Sequence, residues 1–171
     1  MKNILLEGNP GAGKTTLLQT IAERISYLSV GGFYTEEVRE QGGRVGFRVE
    51  TFNGQSGILS HIAYETGPRV AKYRVDVSAF EEIGVNGLEK AFQVSDIIMI
   101  DEIGKMELFS TRFKEIVLRC FDSTKPVIAT VMSHPNLFVD RLKARPDVQL
   151  FTVSFENRNE LGKKIIENIL R

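Results

Sequence analysis

The chain has 171 residues, enough for one folded domain with a core of its own and too few for two ordinary ones. Its 22 basic residues balance 22 acidic ones, so no general charge draws it to nucleic acid or an anionic membrane. A single cysteine, Cys120, excludes an internal disulfide and fits a reducing compartment.

The elements follow in chain order. "NILLEG" (3–8) is a short apolar run closed by glycine, the pattern of a buried strand. Leu17, Leu18, Ile21, Ala22 and Ile25 then recur at helical spacing, which predicts an amphipathic helix over 14–26. The segment from "GGFYTEEVRE" to "GILSHIA" is rich in β-formers and broken by "QGG" and "NGQSG". It predicts a meander of three strands near 33–39, 44–52 and 57–63. "TGPRVAK" reads as a loop and "YRVDV" (73–77) as a short strand. "SAFEEIGVNGLEKAFQVS" reads as two helical pieces capped at Ser78.

"DIIMIDEIG" (96–104) carries four consecutive apolar residues, Ile97 to Ile100, which suits a strand covered on both faces. "MELFSTRFKEIVLRCF" is helical, with Cys120 on its apolar side. "PVIATVMS" is the next buried strand, and "NLFVDRLKA" is a short helix stopped by Pro146. "VQLFTVSF" is the last parallel strand, and the closing helix has Asn157 as its cap. Alternating strands and helices imply an α/β fold, a mainly parallel sheet between two helical layers, with the meander as an antiparallel extension at one edge. No apolar stretch approaches the roughly 20 residues that span a bilayer. The N-terminal apolar run is too short for a secretory signal. The expectation is a cytoplasmic protein and, with its charge-balanced surface, a monomer.

"GNPGAGKTT" carries the chemistry. Gly8, four residues, then Gly13-Lys14-Thr15, between a strand and a helix, is the phosphate-loop (Walker A) pattern. A phosphate chain needs many donors, and backbone N–H groups supply them only where no β-carbon blocks a close wrap. Gly8, Gly11 and Gly13 permit that wrap, and Pro10 stiffens one corner. Asn9, Ala12 and Thr16 complete the loop. The N-terminus of the following helix adds its partial positive charge. Lys14 is placed to reach the β- and γ-phosphates, and Thr15 to bind Mg²⁺ through its hydroxyl.

A second, metal-orienting acid is needed at the end of a neighbouring buried strand (Walker B). "IIMIDEIGK" offers Ile98, Met99, Ile100, Asp101, Glu102, Ile103, Gly104 and Lys105 as candidate nucleotide-binding residues. Asp101 is the candidate Mg²⁺ ligand. Glu102, next to it, is the candidate base that polarises a water for in-line attack. "YRVDV" lies in sequence between the loop strand and the acid strand. That suits the branch of phosphate-loop proteins with an inserted strand between those two. Thr130, at the end of the following strand, is the candidate γ-phosphate sensor. Asn157 and Arg158 follow the last strand, where a base often lies, and the Arg158 guanidinium could stack on it. Arg44, Arg48, Arg69 and Arg74 cluster around the meander, and one of them could contact phosphate. Glu36 and Glu37 read as meander residues. His61 and His134 have no partners at metal-ligand spacing.

"GNPGAGKTT", "GGFYTEEVRE" followed by "GFRV", "DEIGKMEL" and the late "NR" together resemble the small phosphate-loop nucleoside-triphosphatases of the THEP type. The cancer-related nucleoside-triphosphatase belongs to the same group. The likeness runs nearly the whole length, and the last two motifs before "NR" are far more specific than the loop. The third position of the last motif is Asn159, where members often have aspartate. The resemblance implies a RecA-like three-layer sandwich and slow, Mg²⁺-dependent hydrolysis of ATP, GTP and other nucleoside triphosphates. It also draws attention to Lys105, just past the acid pair, as a candidate stabiliser of transition-state charge. A kinase with the same loop, or a nucleotide-dependent switch, remains an alternative on the residues alone.

Overall fold

The computed structural model describes residues 2–171. Among them, one sheet contains nine strands: β1 (Asn3–Glu7), β2 (Val30–Glu40), β3 (Gly43–Thr51), β4 (Ser56–His61), β5 (Arg69–Val70), β6 (Tyr73–Val75), β7 (Ile97–Ile103), β8 (Val127–Val131) and β9 (Val148–Thr152). The helices are α1 (Lys14–Arg24), α2 (Val77–Phe80), α3 (Asn86–Val94), α4 (Thr111–Asp122), α5 (Leu137–Lys143) and α6 (Arg158–Ile169).

Strand order across the sheet is β5-β6-β4-β3-β2-β7-β8-β1-β9. From β2 to β9 the neighbours run parallel, and from β2 outward to β5 they run antiparallel. The expected α/β sheet with an edge meander is therefore what the chain forms. One expectation is corrected. "YRVDV" (β6) lies near the far edge, and the strand inserted between loop strand β1 and acid strand β7 is β8.

The apolar runs explain the layers. In β1, Ile4 and Leu6 face α1 and α6, while Leu5 faces the opposite cluster with α3 and α4. In β7, Ile97 and Met99 alternate in the same way with Ile98 and Ile100. A strand covered on both faces needs no polar alternation.

β2 is the hinge of the architecture. Val30 to Phe33 pair in parallel with β7, and Phe33 to Glu40 pair antiparallel with β3. "GG" ahead of Phe33 has a steric reason: a β-carbon on Gly32, at φ 114°, would collide with the Met99 carbonyl, and one on Gly31 with Ser95 and Ala91. Phe33 is fully buried and packs against Phe80 and Phe113 at centroid distances of 5.5 and 6.0 Å.

Several local readings change. "TGPRVAK" contains β5, which hairpins onto β6. The helical run after β6 starts from Asp76, whose side chain accepts from the Ala79 N–H at 2.9 Å, and not from Ser78. Ser78 already lies inside the first turn, where its side chain cannot reach the orphan donors. That run holds a π-helical turn, Glu81–Val85, between α2 and α3. "MELFSTRF" is not one helix. A 3₁₀ turn at Glu107–Phe109 precedes α4, and Ser110 caps α4 by accepting from Phe113 N–H at 3.0 Å. Replacing Phe33 with alanine is expected to cost about 3–5 kcal/mol of unfolding free energy, read from urea denaturation, because the three-ring cluster cannot close over the cavity.

Candidate active site

The phosphate loop leaves β1 and enters α1. Gly11 and Gly13 take φ values of 81° and 93°, a region that residues with a β-carbon avoid. A β-carbon on Gly8 would lie 2.6 Å from the Val153 carbonyl oxygen, so the loop can lie against the end of β9 only with glycine there. α1 has no acid in its first turn, and its positive end is uncompensated. Lys14 Nζ donates to the Gly8 carbonyl at 2.6 Å, folding back across the loop, and the Ser133 hydroxyl donates to the same oxygen at 3.3 Å. Asn9, Pro10, Gly11 and Thr16 are exposed, while Ala12 and Thr15 are half-buried.

Asp101 is buried at the end of β7 and gathers three donors. The Thr130 hydroxyl lies at 2.5 Å, the Thr15 hydroxyl at 2.7 Å and the Thr35 N–H at 3.3 Å. Burial pushes the Asp101 carboxyl up, and these bonds and the nearby Lys14 ammonium oppose the push. Glu102 is half-buried next to it, across a cis peptide bond. Burial, then the charge of Asp101, raise the Glu102 carboxyl above the ordinary carboxylate range, and Lys14 pulls it back.

Other candidates fall into place or out of it. Thr130 is fully buried with its hydroxyl donated to Asp101, so it orients the acid and offers no surface to a γ-phosphate. Ile98, Met99, Ile100 and Ile103 are likewise fully buried; they anchor the strand, and their side chains present no open surface. Asn157 stands at the cap position of α6, but its side chain turns back. It accepts from Ser154 N–H and donates to the Thr152 carbonyl, both at 2.9 Å, which ties the loop after β9 instead of capping the helix. The Arg158 guanidinium lies 4.6 Å from the centroid of Phe155, which is 70% exposed. A β-carbon on Gly13 would fall 2.5 Å from Arg158 Nη1, so this pair borders the loop.

Lys105 is exposed and shares a cleft of about 150 Å³ with Thr35, Glu102, Gly104 and Glu107. Glu36 pairs with Arg48 at 2.7 Å, and Glu37 with Arg39 and Arg44 at 2.7 and 3.1 Å, all within the meander.

A magnesium ion fits these residues. The Thr15 hydroxyl and an Asp101 carboxylate oxygen, both hard donors, meet beside the loop. Among the described residues, no three His, Cys, Asp or Glu side chains are grouped to cage a metal. That suits an ion held mostly by phosphate and water.

The profile of the NTPase family matches residues 3–166. The chain belongs to this NTPase family. Within the family, nucleoside-triphosphatase THEP1 of Thermotoga sp. strain RQ2 is 47% identical over 163 residues, covering 95% of this chain and 92% of that protein. The crystal structure of THEP1 from Aquifex aeolicus superposes on this NTPase-family chain with a TM-score of 0.91 at 35% identity, covering 99% of each. The solution structure of a human cancer-related nucleoside triphosphatase gives 0.83 at 38% identity, covering 99% of this chain and 97% of that one.

Three residues beside the candidate site of this NTPase-family chain escape a reading of motifs. Thr35 acts through its backbone N–H, which no side-chain pattern reveals. Phe155 looks like an ordinary β-strand aromatic until its exposure is known. Glu107 lies in "DEIGKMEL" five residues after Glu102, yet it is almost wholly buried. Burial first, and then the charge of Glu102, hold its carboxyl well above the ordinary carboxylate range.

A carboxyl raised in the folded state keeps its proton where the unfolded chain has released its own. Its contribution to stability is therefore full below the ordinary carboxylate value and is lost as pH rises through the raised one. Glu107→Gln, which keeps shape without charge, is expected to melt with the wild type near about pH 4 and above it near about pH 8. Thermal unfolding at the two pH values checks this.

Proposed function

We propose that this chain hydrolyses nucleoside 5′-triphosphates, ATP and GTP among them, to diphosphate and phosphate. The observation that carries the reading is the Thr15–Asp101 hydrogen bond. It joins the phosphate loop to the acid strand and leaves Glu102 as the next residue. The family relatives named as nucleoside-triphosphatases support the same reaction.

The loop's backbone N–H groups and the α1 N-terminus hold the phosphate chain, and the Lys14 ammonium offsets its β- and γ-charge. Mg²⁺, held by Thr15 and Asp101, would supply further neutralisation of the phosphates. Glu102 accepts a proton from a water whose oxygen attacks the γ-phosphorus. The new P–O bond forms as the bond to the β–γ bridging oxygen breaks, and the diphosphate leaves with that electron pair. A carboxyl pushed up by burial is a stronger base than one in water, which favours the transfer. Lys105, at the rim of the same cleft, places positive charge where the transferring phosphoryl group gathers negative charge. Phe155 and Arg158 offer a flat, unselective face to a base, consistent with broad substrate use.

Steady-state turnover tests the assignment. Glu102→Gln is expected to lower kcat by about a hundred- to ten-thousand-fold with triphosphate affinity kept. In the same assay Lys105→Ala lowers kcat by about a hundredfold. Unchanged turnover in either variant removes that residue's role. Phe155→Ala is expected to raise KM about tenfold for every base, with kcat nearly intact, as loss of one stacking face predicts. A change confined to one base would refute a permissive pocket.

A further inference from the structure

Beyond the phosphate loop, a second groove of about 680 Å³ opens beside the acid-pair loop. Arg69, Lys105, Lys114 and Arg141 line it, together with apolar surface that includes Phe109 and Leu137. No carboxylate lines it. Among the described residues none of these four cations takes part in an ion pair.

That contrasts with other arginines of the protein. Arg44 and Arg48 are tied to Glu37 and Glu36, Arg74 to the Gly67 carbonyl, Arg112 to Glu81 and Glu89, and Arg145 to Asp122 and Asp147. Arg24, Arg119 and Arg158 also stand outside any ion pair among the described residues, but in this groove four such cations share one concave place that no carboxylate lines. Like charges in a cleft repel one another, and they focus the field that draws an anion in.

Shape and chemistry narrow the ligand. The volume falls in the range of small-molecule sites, which combine apolar walls with a few polar anchors. Phe109 is 46% exposed and Leu137 68%, so an apolar wall stands open to a ligand. Four cations exceed the need of one carboxylate and match a phosphate dianion, for which arginine forks are well suited. Nucleic acid would draw on many phosphates along a continuous basic surface. One short groove in a neutral chain suits a single small polyanion better.

We propose that this groove binds a second small molecule, a phosphomonoester with an apolar body, beside the triphosphate. Its position beside the triphosphate rests on the function proposed above. Lys105 lines both the groove and the Glu102 cleft, so the two spaces adjoin at that side chain.

Calorimetric titration with phenyl phosphate tests the site apart from hydrolysis. Wild type and Lys14→Ala are both expected to bind it. The Lys114→Gln/Arg141→Gln double variant, and separately Arg69→Gln, are expected to bind it about tenfold more weakly or worse. Triphosphate turnover is expected to fall in Lys14→Ala and persist in the groove variants, so failure of one site is not mistaken for failure of the other. The proposal is overturned if wild type shows no binding at millimolar phenyl phosphate, if the groove variants bind it normally, or if Lys14→Ala abolishes binding. Equal affinity for benzyl alcohol overturns the anionic assignment. A short single-stranded RNA that binds more tightly than phenyl phosphate, and is lost in the groove variants, overturns the small-molecule assignment.

Discussion

The Asp101 carboxylate accepts hydrogen bonds from three distant parts of the chain, and the arrangement of the active edge depends on that convergence. Thr15 comes from the start of α1, Thr35 from the backbone of β2 and Thr130 from the end of β8. A buried carboxylate without donors is costly, so the three partners and the acid hold one another in place. The phosphate loop, the inserted strand and the meander are thereby fastened at one point. Glu102 inherits its position from that fastening, being the next residue along.

The sheet makes such a point possible. β1, β7 and β8 are covered on both faces, so their only free places are their ends. Polar groups collect where the strands stop, and in a parallel sheet the strands stop together. β2 adds something a purely parallel sheet lacks. By changing partners at Phe33 it carries Thr35 alongside the last residues of β7, where its N–H reaches Asp101, and the meander becomes a wall of the site.

The framework was legible wherever a residue type answers a local demand. The glycines of the loop answer a backbone demand, and the apolar runs of β1, β7 and β8 answer burial on two sides. What escaped depends on contacts between distant segments. The inserted strand could not be ordered from sequence because adjacency in the sheet is not adjacency in the chain. Asp76 takes the cap that the sequence assigns to Ser78, because the helix begins two residues earlier, at Val77. From sequence Thr130 faces a ligand, because strand ends usually do, but in the fold its hydroxyl is committed to Asp101. Among four clustered arginines nothing local singles out one. Only the packed structure shows that Arg44, Arg48 and Arg74 have partners within the fold.

The contact between Lys14 and the Gly8 carbonyl has a bearing on discrimination. The ammonium already holds a carbonyl oxygen, so an incoming anion competes with an internal occupant and does not meet an idle charge. A lone phosphate exchanges one oxygen partner for another and gains little beyond its charge. A polyphosphate that also fills the backbone donors of the loop overcomes that exchange with contacts to spare. On the function proposed above, the Gly8 carbonyl is the partner that a phosphate oxygen has to replace at Lys14.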